Sequence, residues 1–186
     1  MRLFAQNGFS GTTVGDIEHA AGLTRRGGGF YRHFRSKEDV LAAGVDAHIA
    51  LSAQTRASLN LLPFGDLRSE LTLVCRWLLE SIDQQRYVLQ VVEREAERFP
   101  KLREKWRVQL LEAVHSAAIA FTRRWAEQTG HPSRDPEASA VLMVGAAMSY
   151  RRAQWTFGSA PLGVTDERFV ATWVHYCHDL MTGTST

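Results

Sequence analysis

The chain has 186 residues, 45% of them hydrophobic and 23% charged, a balance that suits one or two packed domains and excludes a disordered chain. A formal charge of +2 excludes bulk charge attraction as the means of holding a nucleic acid but leaves room for a local basic surface. The longest uncharged apolar stretch, residues 138–150, is too short to cross a bilayer, and no charged-then-apolar leader opens the chain, so a cytoplasmic protein is expected.

The apolar pattern is helical nearly throughout, without alternation of strand length, and glycine and proline punctuate it. Residues 1–45 break into short helical pieces. Val14, Ile17 and Ala21 mark one face of a short helix opening at Thr12 or Thr13, whose hydroxyls can cap the helix or bond a phosphate. Ala20, Ala21 and Gly22 supply small residues for a sharp turn, with Leu23 as its apolar plug. This is helix-turn-helix spacing, which leaves a second helix free to enter a DNA major groove.

Arg25 and Arg26 follow, then residues 30–34. Phe30 and Phe34, one turn apart, are expected to bury. Tyr31, Arg32 and His33 carry donors for phosphates, and arginine can grip guanine through two bonds. Lys37 stands at the start of the next helix, where its ammonium and the helix N-terminus can act on one phosphate. Gly27 opens a glycine triplet. Each member costs roughly 0.8–1.0 kcal/mol in a helix relative to alanine, but glycine lets a backbone approach DNA closely.

Beyond residue 45 the predicted helices lengthen. Leu67, Leu71, Val74, Leu78 and Ile82 mark one face of the first. Residues 87–97 predict a second, with Glu93, Arg94, Glu95, Glu97 and Arg98 as a solvated, ion-paired face. Leu102, Trp106, Leu110, Val114, Ala117, Phe121 and Trp125 mark a long third, ended by Gly130. Asp135, Pro136 and Glu137 read as N-cap and first turn of a helix reaching Phe157. Thr165 opens the last helix, and Gly183 closes it.

Large side chains at Trp77, Trp106, Phe121, Trp125, Met143 and Tyr150 are candidates for lining a cavity that takes an apolar or aromatic small molecule. Leu142, Gly145, Ala146 and Ser149, with Phe169, Trp173 and Cys177 on the last helix, are candidates for a self-complementary surface. Cys75 and Cys177 lie on apolar stripes and are expected to be reduced core thiols. His175 and His178 have the spacing of metal ligands but no clear third partner, so neither metal nor other cofactor is expected. The sequence holds no nucleophile elbow or strand-preceded phosphate loop, so it does not read as an enzyme.

Leu3-Phe4 with Gly8-Phe9, Thr12-Thr13-Val14 with Asp16-Ile17, Ala21-Gly22-Leu23-Thr24, and Phe30-Tyr31-Arg32-His33-Phe34 with Ser36-Lys37-Glu38 occur in a familiar order. Over its first 41 residues the chain resembles the DNA-binding domain of the tetracycline-repressor (TetR) family. The resemblance implies an all-α protein: a three-helix helix-turn-helix domain in residues 1–45, then a larger effector-binding and dimerisation bundle in residues 46–186. It also implies a homodimer joined through its last two helices, double-stranded operator DNA as partner, and a small molecule that releases a repressor from that DNA. The alternative is a TetR-like ligand-binding or interaction protein without sequence-specific DNA reading.

Three departures from the family pattern carry expectations of their own. The family domain begins upstream of Leu3, so the first helix is expected to keep residues 1–6 at most. Glu18 stands where the family carries alanine, and a carboxylate there needs a partner such as Arg25. The segment between Gly22 and Tyr31 is two residues longer than the family pattern. In a continuous helix, that insertion turns everything beyond it by about 200°. A lengthened turn through Thr24, Arg25 and Arg26 and a late recognition helix are therefore expected.

Overall fold

The computed structural model describes residues 1–24, 28–59, 65–131 and 135–183, and all regular structure among them is helical. Packing divides the chain into two units, Met1–Ala53 with Gln84–Leu110, and Gln54–Asp83 with Leu111–Thr186.

The first unit begins with α1 (Arg2–Gly11), which is interrupted at Gly8, where φ is 73° and ψ 170°. A Cβ at Gly8 would be strained at that φ, and it would also sit 2.9 Å from the Arg94 guanidinium carbon. Helix α2 (Val14–Ala20) opens with a capping box: the Thr13 side chain accepts from the Asp16 N–H, and the Asp16 carboxylate accepts from the Thr13 N–H. One turn of 3-10 helix follows at Phe30–Arg32, and then α3 (Lys37–Leu59). Helices α5 (Arg86–Glu95) and α6 (Pro100–Trp106) complete the unit. Phe4, Phe9, Leu41 and Val91 form one buried cluster, and Val45, Val88, Trp106 and Leu110 form another.

The expected solvated face on residues 93–98 is overturned in part. Helix α5 packs on α1, and the Glu95 carboxylate accepts the Phe9 backbone N–H at 2.9 Å. The Arg98 guanidinium donates to the Ser10 hydroxyl at 2.7 Å and lies 4.6 Å from the Phe9 ring centre. These contacts put residues 84–110 in the N-terminal packing unit, whereas the sequence reading assigned them to the second domain.

The second unit contains α4 (Leu67–Gln84), α7 (Ala113–Thr129), α8 (Pro136–Phe157) and α9 (Asp166–Thr182). The long third helix expected from periodicity is α6, a π-helical turn at Arg107–Glu112, and α7, which ends on Gly130. Asp135 caps α8 by accepting the Ala138 N–H, and Thr165 caps α9 by accepting from Arg168. Helix α7 packs against α8 and α9. Leu67, Leu71, Cys75, Leu78 and Ile82 of α4 are buried. Cys75 and Cys177 are free thiols, and burial pushes both up to about 12.

Helices α8 and α9 are bound by Arg151, which grips Asp166 through two bonds of 2.8 Å and also lies 3.0 Å from Asp83. The Arg151 guanidinium holds the Asp166 carboxyl down from its ordinary 3.8 to about 2. A carboxyl depressed in the folded state stabilises it above the unfolded-state value and loses that contribution as pH falls through the folded-state value. Between about pH 4 and pH 2 the unfolding midpoint should therefore fall more steeply in the parent protein than in Asp166→Asn. Equal slopes would remove Asp166 from the account. In the first unit, Glu95→Ala leaves the Phe9 N–H without its acceptor and should cost about 1–3 kcal/mol in denaturant unfolding. Glu95→Gln, which keeps an acceptor oxygen, should recover most of that loss.

Candidate DNA-reading surface and effector cavity

The helix-turn-helix residues separate sharply by environment. Phe30 is buried, and its N–H donates to the buried Glu18 carboxylate at 3.3 Å, so α2 is tied directly to the segment that follows the turn. The partner expected for Glu18, Arg25, lies outside the described residues; among those described, the Phe30 backbone N–H is bonded to the Glu18 carboxylate. With Phe30 anchored, Tyr31 is 66% exposed, and Arg32 and His33 are exposed beside it. Arg35 and His19 are exposed as well. Arg25, Arg26 and Gly27, the heart of the expected lengthened turn, lie outside the described residues. The expected late recognition helix is a single 3-10 turn among the residues described.

Two predicted phosphate contacts face inward instead. Thr12 is fully buried, and its hydroxyl donates within α1, 2.8 Å from the Gly8 carbonyl and 3.1 Å from that of Leu3. The Lys37 ammonium donates to the carbonyls of Phe9 and Thr12 at 2.5 and 2.7 Å and sits 4.4 Å from the Phe9 ring centre. Both side chains serve the bend after α1. Thr13, the exposed neighbour of Thr12, is the helix cap.

The second unit holds a cavity of about 430 Å³. Trp77, Phe121 and Met143 line it, together with Trp173 and two arginines, Arg56 and Arg124. The other three predicted lining residues are elsewhere. Trp106 packs in the first unit against Val45 and Val88. Trp125 is buried and donates its indole N–H to Glu70 at 2.9 Å. Tyr150 stacks on Phe169, and its hydroxyl lies 2.8 Å from Asp166. Sequence reasoning missed Glu70, which is fully buried and pairs with Arg124 at 2.5 Å. Its signal was present: Glu70 falls one helical turn after Leu67, on the buried face.

On α8, Leu142, Gly145, Ala146 and Ser149 are exposed, Leu142 to 70%. Tyr176 and Leu180 of α9 are exposed also. Trp173 and Cys177, predicted for the same surface, face the interior of the unit instead, where the Trp173 indole donates to the Met143 carbonyl at 3.0 Å. Phe169 is half-buried against Tyr150. Among the described residues no group of three potential metal ligands occurs, and no helix is long and apolar enough to cross a membrane. His175 and His178 both lie 3.4 Å from Asp179.

Residues 1–43 match the family of bacterial regulatory proteins named for TetR. YerO, an uncharacterised HTH-type transcriptional regulator of Bacillus subtilis (strain 168), is 40% identical over 52 residues, 28% of this chain and 17% of that protein. The HTH-type transcriptional regulator AcrR of Shigella flexneri is 48% identical over 42 residues, 23% of this chain and 19% of that one. The chain thus matches under a fifth of the length of each relative. The solved structure of the flavonoid-responsive regulator FrrA superposes with a TM-score of 0.64 at 20% identity, covering 98% of this chain and 91% of that one. Fold and N-terminal motif define an all-α helix-turn-helix protein. Over residues 1–43, the chain carries the N-terminal motif of the TetR family.

The environments of Lys37 and Arg32 predict opposite signatures. Arg32→Ala should flatten the salt dependence of DNA binding by about one unit of log–log slope, as expected for a lost phosphate contact. Lys37→Met should lower the unfolding midpoint and leave that slope unchanged.

Proposed function

We propose that the chain is a transcriptional regulator, acting as a repressor, that binds operator DNA as a homodimer and lets go when a small molecule fills the second unit's cavity. The observation that carries this reading is the Phe30 anchor: it is buried and bonded to α2 while Tyr31, Arg32 and His33 stay exposed next to it. Those three, with Thr13, Arg25, Arg26 and Gly27, are the residues we assign to DNA. The exposed side of α8, with Tyr176 and Leu180 of α9, supports pairing of two copies. Small residues at Gly145, Ala146 and Ser149 let the backbones approach there.

A dimer presents its two reading segments to half-sites about 34–36 Å apart, or a multiple of that. Effector that binds better to a conformer with the wrong spacing draws the population away from DNA. FrrA is flavonoid-responsive by name, and response to a small molecule is carried to this chain as part of the proposal. The setting is the cytoplasm, and the role is regulatory rather than enzymatic. A protein that keeps the ligand and loses DNA reading is the second possibility, favoured by the single 3-10 turn where a recognition helix is expected.

Fluorescence anisotropy at fixed near-physiological salt tests the first reading. Its own upstream intergenic DNA should bind at least about a thousandfold tighter than a scrambled duplex, and Arg25→Ala with Arg26→Ala should abolish the difference. Equal weak binding to both duplexes, repeated with any in-frame upstream extension of the chain, would favour the second.

A further inference from the structure

We infer that the cavity of the second unit takes an organic acid: an apolar, ring-sized body carrying one carboxylate or similar anion that Arg56 holds. The inference names the ligand class for the effector response proposed above and rests on that reading for its biological use, although the binding itself needs no DNA.

The lining is apolar over most of its extent, through Val74, Leu78, Phe121, Met143, Val144 and Trp173. Among the described lining residues, the charged groups are both guanidinium and no side chain is acidic. The two arginines are not equivalent. Arg124 is paired with Glu70, which is itself fully buried, so that pair is neutral within the unit. Arg56 has no ion-pair partner among the described residues, and partial burial lowers its pKa from the ordinary value, a sign that water solvates it incompletely. Arginine does not give up its proton in proteins, so the remaining remedy for a half-desolvated guanidinium is a counter-ion.

A third feature points the same way. Trp77, also in the lining, carries a buried indole N–H with no hydrogen-bond partner among the described residues. A buried donor without an acceptor is rare in native proteins. A carboxylate offers acceptors only, so it suits both groups, whereas a cationic ligand would bring further donors and like charge. The volume is within the range of small-molecule sites.

Titration calorimetry on the full chain without DNA, near neutral pH, tests this with three matched probes: 2-naphthoate, 2-naphthamide and 2-naphthylmethylammonium. Naphthoate should bind at least about tenfold tighter than the amide, and the ammonium weakest. The preference should collapse in Arg56→Gln and survive in Arg56→Lys, with circular dichroism verifying that both variants fold. Trp77→Phe should weaken acid and amide alike. Equal affinity for acid and amide overturns the inference, as do a preference for the ammonium, a preference that outlives Arg56→Gln, or no naphthoate binding up to about a millimolar. Preference for the acid in a chain that fails the DNA test would sink the regulator reading and sustain this one.

Discussion

Both polar atoms of the Phe9 peptide are held by charged side chains from distant sequence: Glu95 accepts its N–H, and the Lys37 ammonium binds its carbonyl. The ring lies between Phe4, at 5.7 Å, and Phe99, at 4.7 Å, with Lys37 and Arg98 near its face. The chain needs such an anchor because α1 is interrupted at Gly8, and the Phe9 N–H just past the break is taken up by Glu95. Without the charged partners, Phe9 could bury its ring only by stranding its backbone. With them, α1, α3 and α5 share one joint. The Glu18 bond to Phe30 repeats the device at the next bend.

In the second unit a carboxylate is again the organising group, but its surroundings differ. Glu70 receives both Arg124 and the Trp125 indole on its Oε2, so its charge is compensated. Removing Glu70 would take from Arg124 the buried carboxylate it pairs with beside the cavity, and the charge character of the lining would change with it. The character of the cavity thus depends on a residue outside its lining.

What could be read from the sequence was whatever local chemistry decides. The caps at Asp135 and Thr165, the closing Gly130, and the inward face of α4 follow from residues within a turn of one another, and the sequence reading placed them correctly. The assignments that failed needed tertiary knowledge. Thr12 and Thr13 are adjacent hydroxyls, and only the fold decides that one bonds inside α1 while the other caps α2. Glu95 and Lys37 have the profile of surface charges until the Phe9 peptide is in place. Trp77 and Trp106 look alike on their stripes, yet one lines the cavity and the other fills a core in the other unit. Periodicity gives the inward face of a helix but not what that face meets.

Both cysteines of the chain, Cys75 and Cys177, belong to the second unit, and neither is accessible there. A thiol reacts as its thiolate, and burial makes these two almost incapable of forming one. Alkylation must therefore wait for that unit to open, while opening of the first unit exposes no thiol. The rate of thiol trapping is a built-in clock for the breathing of one half of the molecule. Any compound that prefers the closed form slows that clock in proportion to its occupancy, whether or not a nucleic acid is present.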